Sequence, residues 1–138
     1  MVRSKKLAQF AQWSIAVPFI TLGGWCLLWP GTVEALSLNP DHYIGTQASR
    51  ILMGCFGAQA ILSGLFAAFS RFTRVTFLVY GSALLPFFWF NYHFTITEPV
   101  FNSYMLIDVI SNTVMLALCA VGWRALEPVS APKPATDK

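Results

Sequence analysis

A few ionisable and amide side chains interrupt otherwise apolar stretches of this sequence. Asp108 is the only carboxylate in the apolar run from residue 104 to 123, and Asn112 follows it by four residues. Residues four apart share one face of a helix, one turn from each other. An ionisable group in such a run is costly unless it meets a partner, so Asp108 marks a candidate functional site.

Other polar residues are expected at a similar depth. Arg50 opens the apolar run that ends at residue 69, and Gln59 lies about 13 Å from the start of that run by helical rise. Opposite charges in a low-dielectric region should seek each other, which predicts an ion pair between Arg50 and Asp108. The residues that could form one polar cluster are Arg50, Gln59, Asn91, His93, Asp108, Ser111 and Asn112.

Two interpretations of this cluster stay open. Interhelical hydrogen bonds hold membrane bundles together at about 0.6–2 kcal/mol each, so the cluster could simply fix helix register. It could also line a pocket for a ligand. No metal is predicted, because His42, His93 and Asp108 have no local ligand spacing. No catalytic residue or cofactor is predicted, because HExxH, GxSxG, CxxC and nucleotide-loop motifs are absent.

The elements that must position these residues are four long apolar runs, at residues 10–30, 50–69, 72–92 and 104–123. A helix crosses the hydrocarbon core of a bilayer with about 20 apolar residues. Charged residues make up only 11% of the chain and hydrophobic residues 56%, whereas a soluble domain carries about 25% charged residues. The sequence therefore predicts an all-α integral membrane bundle of four transmembrane helices within residues 10–125.

The basic residues are distributed unevenly around the predicted spans. Cytoplasmic segments carry an excess of Lys and Arg, and only Arg50 falls on the other side from the remaining eight. Both termini are therefore predicted to be cytoplasmic, residues 1–9 as a basic segment and residues 126–138 as a disordered, proline-rich tail. A cleaved signal peptide is the alternative for the first run, but the run exceeds the ~7–15 apolar residues of such a peptide. The eight residues are Arg3, Lys5, Lys6, Arg71, Arg74, Arg124, Lys133 and Lys138.

Small residues and cysteines indicate how the helices pack. Small residues allow the close backbone approach that holds membrane helices together, and the second run is rich in them, so we expect it at the centre of the bundle. Gly54 and Ala58 form a small-xxx-small pair in that run. The cysteines have the character of apolar packing residues, although a disulfide between Cys26 and Cys55 stays possible.

The layout resembles the small four-helix bacterial membrane proteins of the DoxX-like type over about residues 10–125. The resembling features are Trp29-Pro30 at the end of the first run, Arg50 before a glycine-rich second run, and the basic link with Arg71 and Arg74. The resemblance implies the four-helix fold. Some members of that group are accessory subunits of membrane redox systems, and the resemblance assigns no catalytic residue.

Two functions follow as hypotheses. The first is a non-enzymatic subunit of a membrane complex, or a self-associating protein, whose partners are the lipid bilayer and a second copy or another membrane protein. The second is a binder or enzyme for a small apolar or lipid-like molecule in an outward-facing polar pocket. Nucleic acid is not predicted as a partner, because the net charge is only +3 and no basic stretch is interleaved with aromatics.

Overall fold

The chain is helical over most of residues 2–126, the part described by the computed structural model. Short 3-10 turns occur at Pro40–His42 and Ser103–Met105, and a π-helical turn at His93–Thr97 extends the fourth helix. Within this part of the chain, β pairing is limited to one isolated bridge between Leu38 and Phe101. The α-helices are α1 (Val2–Leu28), α2 (Pro30–Ser37), α3 (Gln47–Phe69), α4 (Arg74–Tyr92) and α5 (Leu106–Ala125).

Four of these helices correspond to the predicted apolar runs. The helices α1, α3, α4 and α5 are each long and apolar enough to cross a membrane, and the all-α fold class is confirmed for the described residues. The helix α1 begins at Val2 and therefore includes most of the predicted basic segment, residues 1–9. The predicted disordered tail, residues 126–138, lies outside the described residues except for Leu126.

A short helix, α2, lies between the first and second apolar runs. Proline is well placed at the first helical position because its missing N–H needs no partner there, and α2 begins with Pro30. Glu34 on α2 is 2% exposed. Its carboxylate accepts hydrogen bonds from the backbone N–H of Gly45 at 3.1 Å and from Ser49 Oγ at 3.0 Å. These bonds fold the segment onto the start of α3.

Asparagine side chains tie together the two loops at this end of the bundle, called the loop end below. Asn39 Nδ2 donates to the carbonyls of Pro99 at 2.7 Å and Phe101 at 3.1 Å. Asn102 Nδ2 donates in return to the carbonyl of Leu38 at 3.1 Å. The loops before α3 and before α5 therefore form one connected cap.

The central helix of the bundle is α1. It packs against both α3 and α5, and α4 packs against α5, while α3 and α4 make little contact with each other. A link at residues 70–73 joins α3 to α4 at the end opposite the loops, called the link end below. The prediction that the second run lies at the centre is wrong, because α3 packs mainly on α1 and α2. It meets α4 through a hydrogen bond from Tyr80 Oη to the carbonyl of Ser63 at 3.5 Å.

Glycines bring α1 and α3 into backbone contact. A Cβ atom on Gly57 would lie 2.6 Å from the carbonyl oxygen of Gly23 and 2.6 Å from the backbone nitrogen of Leu27. A Cβ on Gly64 would lie 3.0 Å from the carbonyl oxygen of Ala16. These two α3 glycines therefore pack against α1 of the same chain. Gly54 differs, because a Cβ there would have nothing within 4 Å.

The link end is held by an aromatic core and by a side-chain cap. Phe77 on α4 is fully buried, and a Cβ on Gly122 of α5 would lie 2.4 Å from its ring. Gln12 Nε2 on α1 donates to the carbonyls of Ala67 and Ser70, each at 2.7 Å. The last carbonyls of a helix have no partner within the helix, so Gln12 satisfies the end of α3 from a neighbouring helix.

The three cysteines are all free thiols. The disulfide considered for Cys26 and Cys55 is therefore not formed. Cys26 and Cys119 are buried, whereas Cys55 is exposed on α3. Burial of the first two agrees with the role of a small apolar packing residue.

Candidate functional site: a cavity among the four long helices

A carboxylate and two amides form a hydrogen-bonded group near the loop end. Asp108 lies in the first turn of α5. Its Oδ2 accepts a hydrogen bond from Asn112 Nδ2 at 2.8 Å, one turn along the same helix, and one from Asn91 Nδ2 at 2.7 Å, from α4. Asn91 Nδ2 also donates to the carbonyl of Phe87 at 2.9 Å. The group joins α4 to α5 and fixes the orientation of the carboxylate.

Acceptor oxygens of this group are left without protein donors. Both amide protons of Asn91 are directed at Phe87 and Asp108, and its Oδ1 is buried with no hydrogen-bond partner in the described chain. Asp108 receives both of its hydrogen bonds on Oδ2, so Oδ1 remains available. Buried polar atoms in folded proteins are nearly always satisfied. Of the two acceptors, only Oδ1 of Asn91 is a buried atom without a partner, so only that atom departs from this rule.

A cavity of about 260 Å³ lies beside this group. All four long helices contribute to its walls, and most of the lining is apolar. The polar lining residues are Gln59, Ser63, Asp108, Ser111 and Asn112. The apolar lining residues are Pro18, Phe19, Leu22, Gly23, Phe56, Ala60, Phe87 and Met115.

The cavity opens sideways, between α3 and α4. These two helices make little contact, and the residues they contribute to the walls, Phe56, Gln59, Ser63 and Phe87, are exposed. The floor is formed by α1 and α5, where Gly23 and Asn112 are buried. A molecule could therefore enter along the side of the bundle without passing through the loops.

The structure brings together five of the seven residues of the predicted cluster. Gln59, Asp108, Ser111 and Asn112 line the cavity, and Asn91 binds Asp108. Among the described residues, neither the side chain of Gln59 nor that of Ser111 makes a hydrogen bond to protein. Two polar groups are thus presented to the cavity with their hydrogen-bonding capacity unused.

Arg50 does not join this cluster, and the predicted ion pair with Asp108 is not formed. Arg50 lies beside Gly31 and, with Trp29 and Tyr43, lines an open depression at the loop end. The reason is the direction of its side chain around the helix axis. It lies nine residues before Gln59, about half a turn away at about 100° per residue, so it faces away from the cavity. In addition, α3 packs on α1 and α2, not on α5.

His93 also lies outside the cavity. Its ring stacks on Trp89 with centroids 5.2 Å apart, and its Nε2 lies 3.8 Å from Glu98 Oε1. Over residues 2–126, no three His, Cys, Asp or Glu side chains come together in a way that could hold a metal ion.

Sequence reasoning missed the aromatic walls of the cavity. Phe19, Phe56 and Phe87 come from three different helices, and each belongs to an apolar run in which many residues look alike. One signal was present, because Phe56, Gln59 and Ser63 follow a spacing of three and four residues that places them on one helical face. The wall residues on α1 and α4 could be identified only from the tertiary structure.

The hydrogen bonds around Asp108 predict which residues are energetically coupled. In a double-mutant cycle of Asn91→Ala with Asp108→Ala, the losses of unfolding free energy should differ from additivity by about 0.5–2 kcal/mol. The same cycle with Arg50→Ala should be additive within about 0.5 kcal/mol, since Arg50 shares no contact with Asp108. Unfolding in mild detergent measures both. Coupling of Asp108 to Arg50 and not to Asn91 would contradict this arrangement.

Comparison with protein-family models, with curated proteins and with solved structures found no match to this chain. The resemblance to the DoxX-like proteins therefore stays a prediction from the sequence.

Proposed function

We propose that the chain is an integral membrane protein whose four long helices cross the bilayer, with both termini in the cytoplasm. Each helix is long and apolar enough for this. The basic residues support the orientation: those at the link end, Lys5, Lys6, Arg71, Arg74 and Arg124, outnumber the single Arg50 at the loop end. Excess positive charge is typical of the cytoplasmic side.

Cysteine labelling tests this orientation. In a variant without native cysteines, Asp41→Cys places a thiol at an exposed position of the loop end, and Ser70→Cys places one at an exposed position of the link end. An impermeant maleimide applied to intact cells should label the first and not the second, while permeabilised cells should show both. The reverse pattern would overturn the orientation, and labelling of both in intact cells would overturn the membrane span itself.

We propose further that the chain binds a small amphipathic, lipid-like molecule in the cavity. The observation that carries the proposal is the combination of an apolar, laterally open cavity with unpaired polar groups at Asp108, Gln59 and Ser111. In the hydrocarbon region no bulk water satisfies polar groups. A ligand whose polar group enters the cavity would give the side chains of Asp108, Gln59 and Ser111 hydrogen-bond partners.

The size of the cavity agrees with this type of ligand. At about 260 Å³ it is slightly smaller than the ~300–1,000 Å³ of pockets that enclose a drug-sized molecule. It can hold a small ring or a polar head, and the sideways opening between α3 and α4 leaves room for an apolar tail. The tail would then lie among the lipid chains.

A purely structural role explains fewer of the observations. Hydrogen bonds of Asn91 and Asn112 to Asp108 would fix the register of α4 and α5 without any ligand. That role needs neither a cavity nor the side chains of Gln59 and Ser111, which have no protein partner among the described residues. The ligand hypothesis accounts for both.

Self-association is the second candidate, and one observation favours it. Gly54 has open space where a side chain would be, and Ala58, one turn further along α3, is exposed. A small-xxx-small pair facing outward can accept a helix from another chain. The other α3 glycines, Gly57 and Gly64, are already packed on α1, so the surface available to a partner is narrower than the sequence indicated.

Native mass spectrometry from mild detergent distinguishes these candidates. Wild-type protein should carry a stoichiometric small molecule, and Ser111→Leu, which fills the cavity, should lose it. Thr113→Leu is the matched control, because Thr113 is an exposed residue of α5 that does not line the cavity. Equal retention by Ser111→Leu would exclude the cavity as the site. A dimer without any bound molecule would favour self-association.

A further inference from the structure

We infer that the polar group of the ligand is a cation, specifically a protonated amine attached to an apolar body. This inference rests on the proposed binding function and narrows its ligand class. Asp108 is the only ionisable residue among the described residues that line the cavity. The site therefore presents a carboxylate that receives no countercharge from the cavity-lining residues that the structure describes.

The surrounding charges leave Asp108 without a cationic partner. Arg50 faces the depression at the loop end with Gly31 and Tyr43. His93 stacks on Trp89 and lies near Glu98. Across residues 2–126, the side chains that donate to Asp108 are the neutral amides of Asn91 and Asn112. A neutral donor orients a carboxylate without balancing its charge.

The hydrogen-bonding pattern also favours a ligand that donates. Asn91 and Asn112 act as positioning residues, since both donate to Oδ2 of Asp108 and leave Oδ1 free. An ammonium group carries only donors, so it matches the free Oδ1 of Asp108. A carboxylate or phosphate head would instead meet the Asp108 charge and be repelled.

The aromatic walls add a second attraction for a cation. Phe19, Phe56 and Phe87 line the same cavity as Asp108. The face of an aromatic ring attracts a cation, and the attraction grows when water is excluded, which is why ammonium ligands are bound in aromatic cages. A neutral or anionic head would gain nothing comparable from these rings.

Three probes with one apolar body and different heads test the inference: 4-phenylbutylamine, 4-phenylbutanol and 4-phenylbutanoic acid. Isothermal titration calorimetry with the wild-type protein in a neutral detergent should show the amine binding at least about tenfold more tightly than the alcohol, because a hydrogen bond between charged groups is roughly twice as strong as a neutral one. The acid should bind most weakly. Asp108→Asn should abolish the preference for the amine, while Asp41→Asn, a matched change at an exposed loop carboxylate, should keep it.

The outcomes separate this inference from the function on which it rests. If amine and alcohol bind equally and Ser111→Leu removes both, the cavity binds a ligand but the inference of a cation is wrong. If no probe binds and no molecule co-purifies, both proposals fail. The comparison of the three heads on the wild-type protein stands even if Asp108→Asn does not fold, and a preference for the amine that survives in Asp108→Asn would overturn the inference.

Discussion

Gly57→Ala should lower the free energy of unfolding by about 3 kcal/mol, at the upper end of the range for overpacked sites. The new methyl group would lie 2.6 Å from backbone atoms of Gly23 and Leu27. Backbone atoms cannot turn aside as the end of a flexible side chain can, so α1 and α3 would have to move apart along their contact. Unfolding by a denaturing detergent in mixed micelles measures the loss.

Gly54→Ala is the matched control for this prediction. Gly54 lies on the same helix, and an added methyl group there meets nothing within 4 Å. Alanine is favoured over glycine inside a helix by about 0.5–1 kcal/mol, so Gly54→Ala should be neutral or slightly stabilising. Equal losses for the two variants would mean that the contact between α1 and α3 is not the one described.

Phe77→Ala should cost about 3 kcal/mol, the low end of the range for truncating a buried phenylalanine. Phe77 is fully buried at the link end, with its ring against Gly122. Truncation leaves a void between α4 and α5 that their backbones cannot close. The low end of the range applies because transfer from water contributes little when the alternative environment of the side chain is lipid.

Phe69→Ala is the control for Phe77→Ala. Phe69 is 79% exposed at the end of α3, so its truncation removes contacts with detergent or lipid and an edge-to-face contact with Trp13 on α1. We expect a loss of at most about 1.5 kcal/mol, the upper value for an aromatic pair. The same unfolding assay measures both variants. A similar loss for Phe69→Ala would mean that α3 has a partner at that position which the single chain does not show.

The long helices could be predicted from the sequence because length and apolar composition are local properties. The run that ends at Phe69 ends there in the structure as well. The short helix α2 could not be predicted in the same way, since Gly31 and the prolines around it favoured turns. Its stability depends on the buried Glu34 and on Gly45, a contact between residues eleven apart.

The wrong helix was predicted to lie at the centre of the bundle. Small residues show that one face of a helix is closely packed, but they do not show which helix packs against it. Gly57 and Gly64 do lie in a close contact, but both face α1. The partner glycine, Gly23, stands in a run with fewer small residues. The central position of α1 is therefore a property of the tertiary structure that the abundance of glycine in α3 obscured.

The candidate site was predicted only in part. The spacing of residues along a helix determines the face on which they lie, whereas their depth in the membrane does not. The spacing of four residues between Asp108 and Asn112 places them on one face, and they are hydrogen bonded. Arg50 was assigned to Asp108 by its opposite charge and similar depth. Arg50 lies nine residues before Gln59, which places the two side chains on opposite faces of the helix. Arg50 therefore faces away from Asp108, and this could have been predicted from the sequence. The contact of Asn91 with Asp108 could not be predicted from spacing, because it depends on the packing of α4 on α5.

Photo-crosslinking in the native membrane tests the binding cavity most directly. Benzoylphenylalanine would replace Phe56, which lines the cavity, or Phe66, an exposed residue of the same helix outside it. After irradiation of whole cells, mass spectrometry of the purified protein gives the mass of whatever was attached at each position. We expect one discrete adduct at Phe56 and only the mixture of bulk phospholipids at Phe66. The same phospholipid mixture at both positions would contradict a specific binding cavity between α3 and α4.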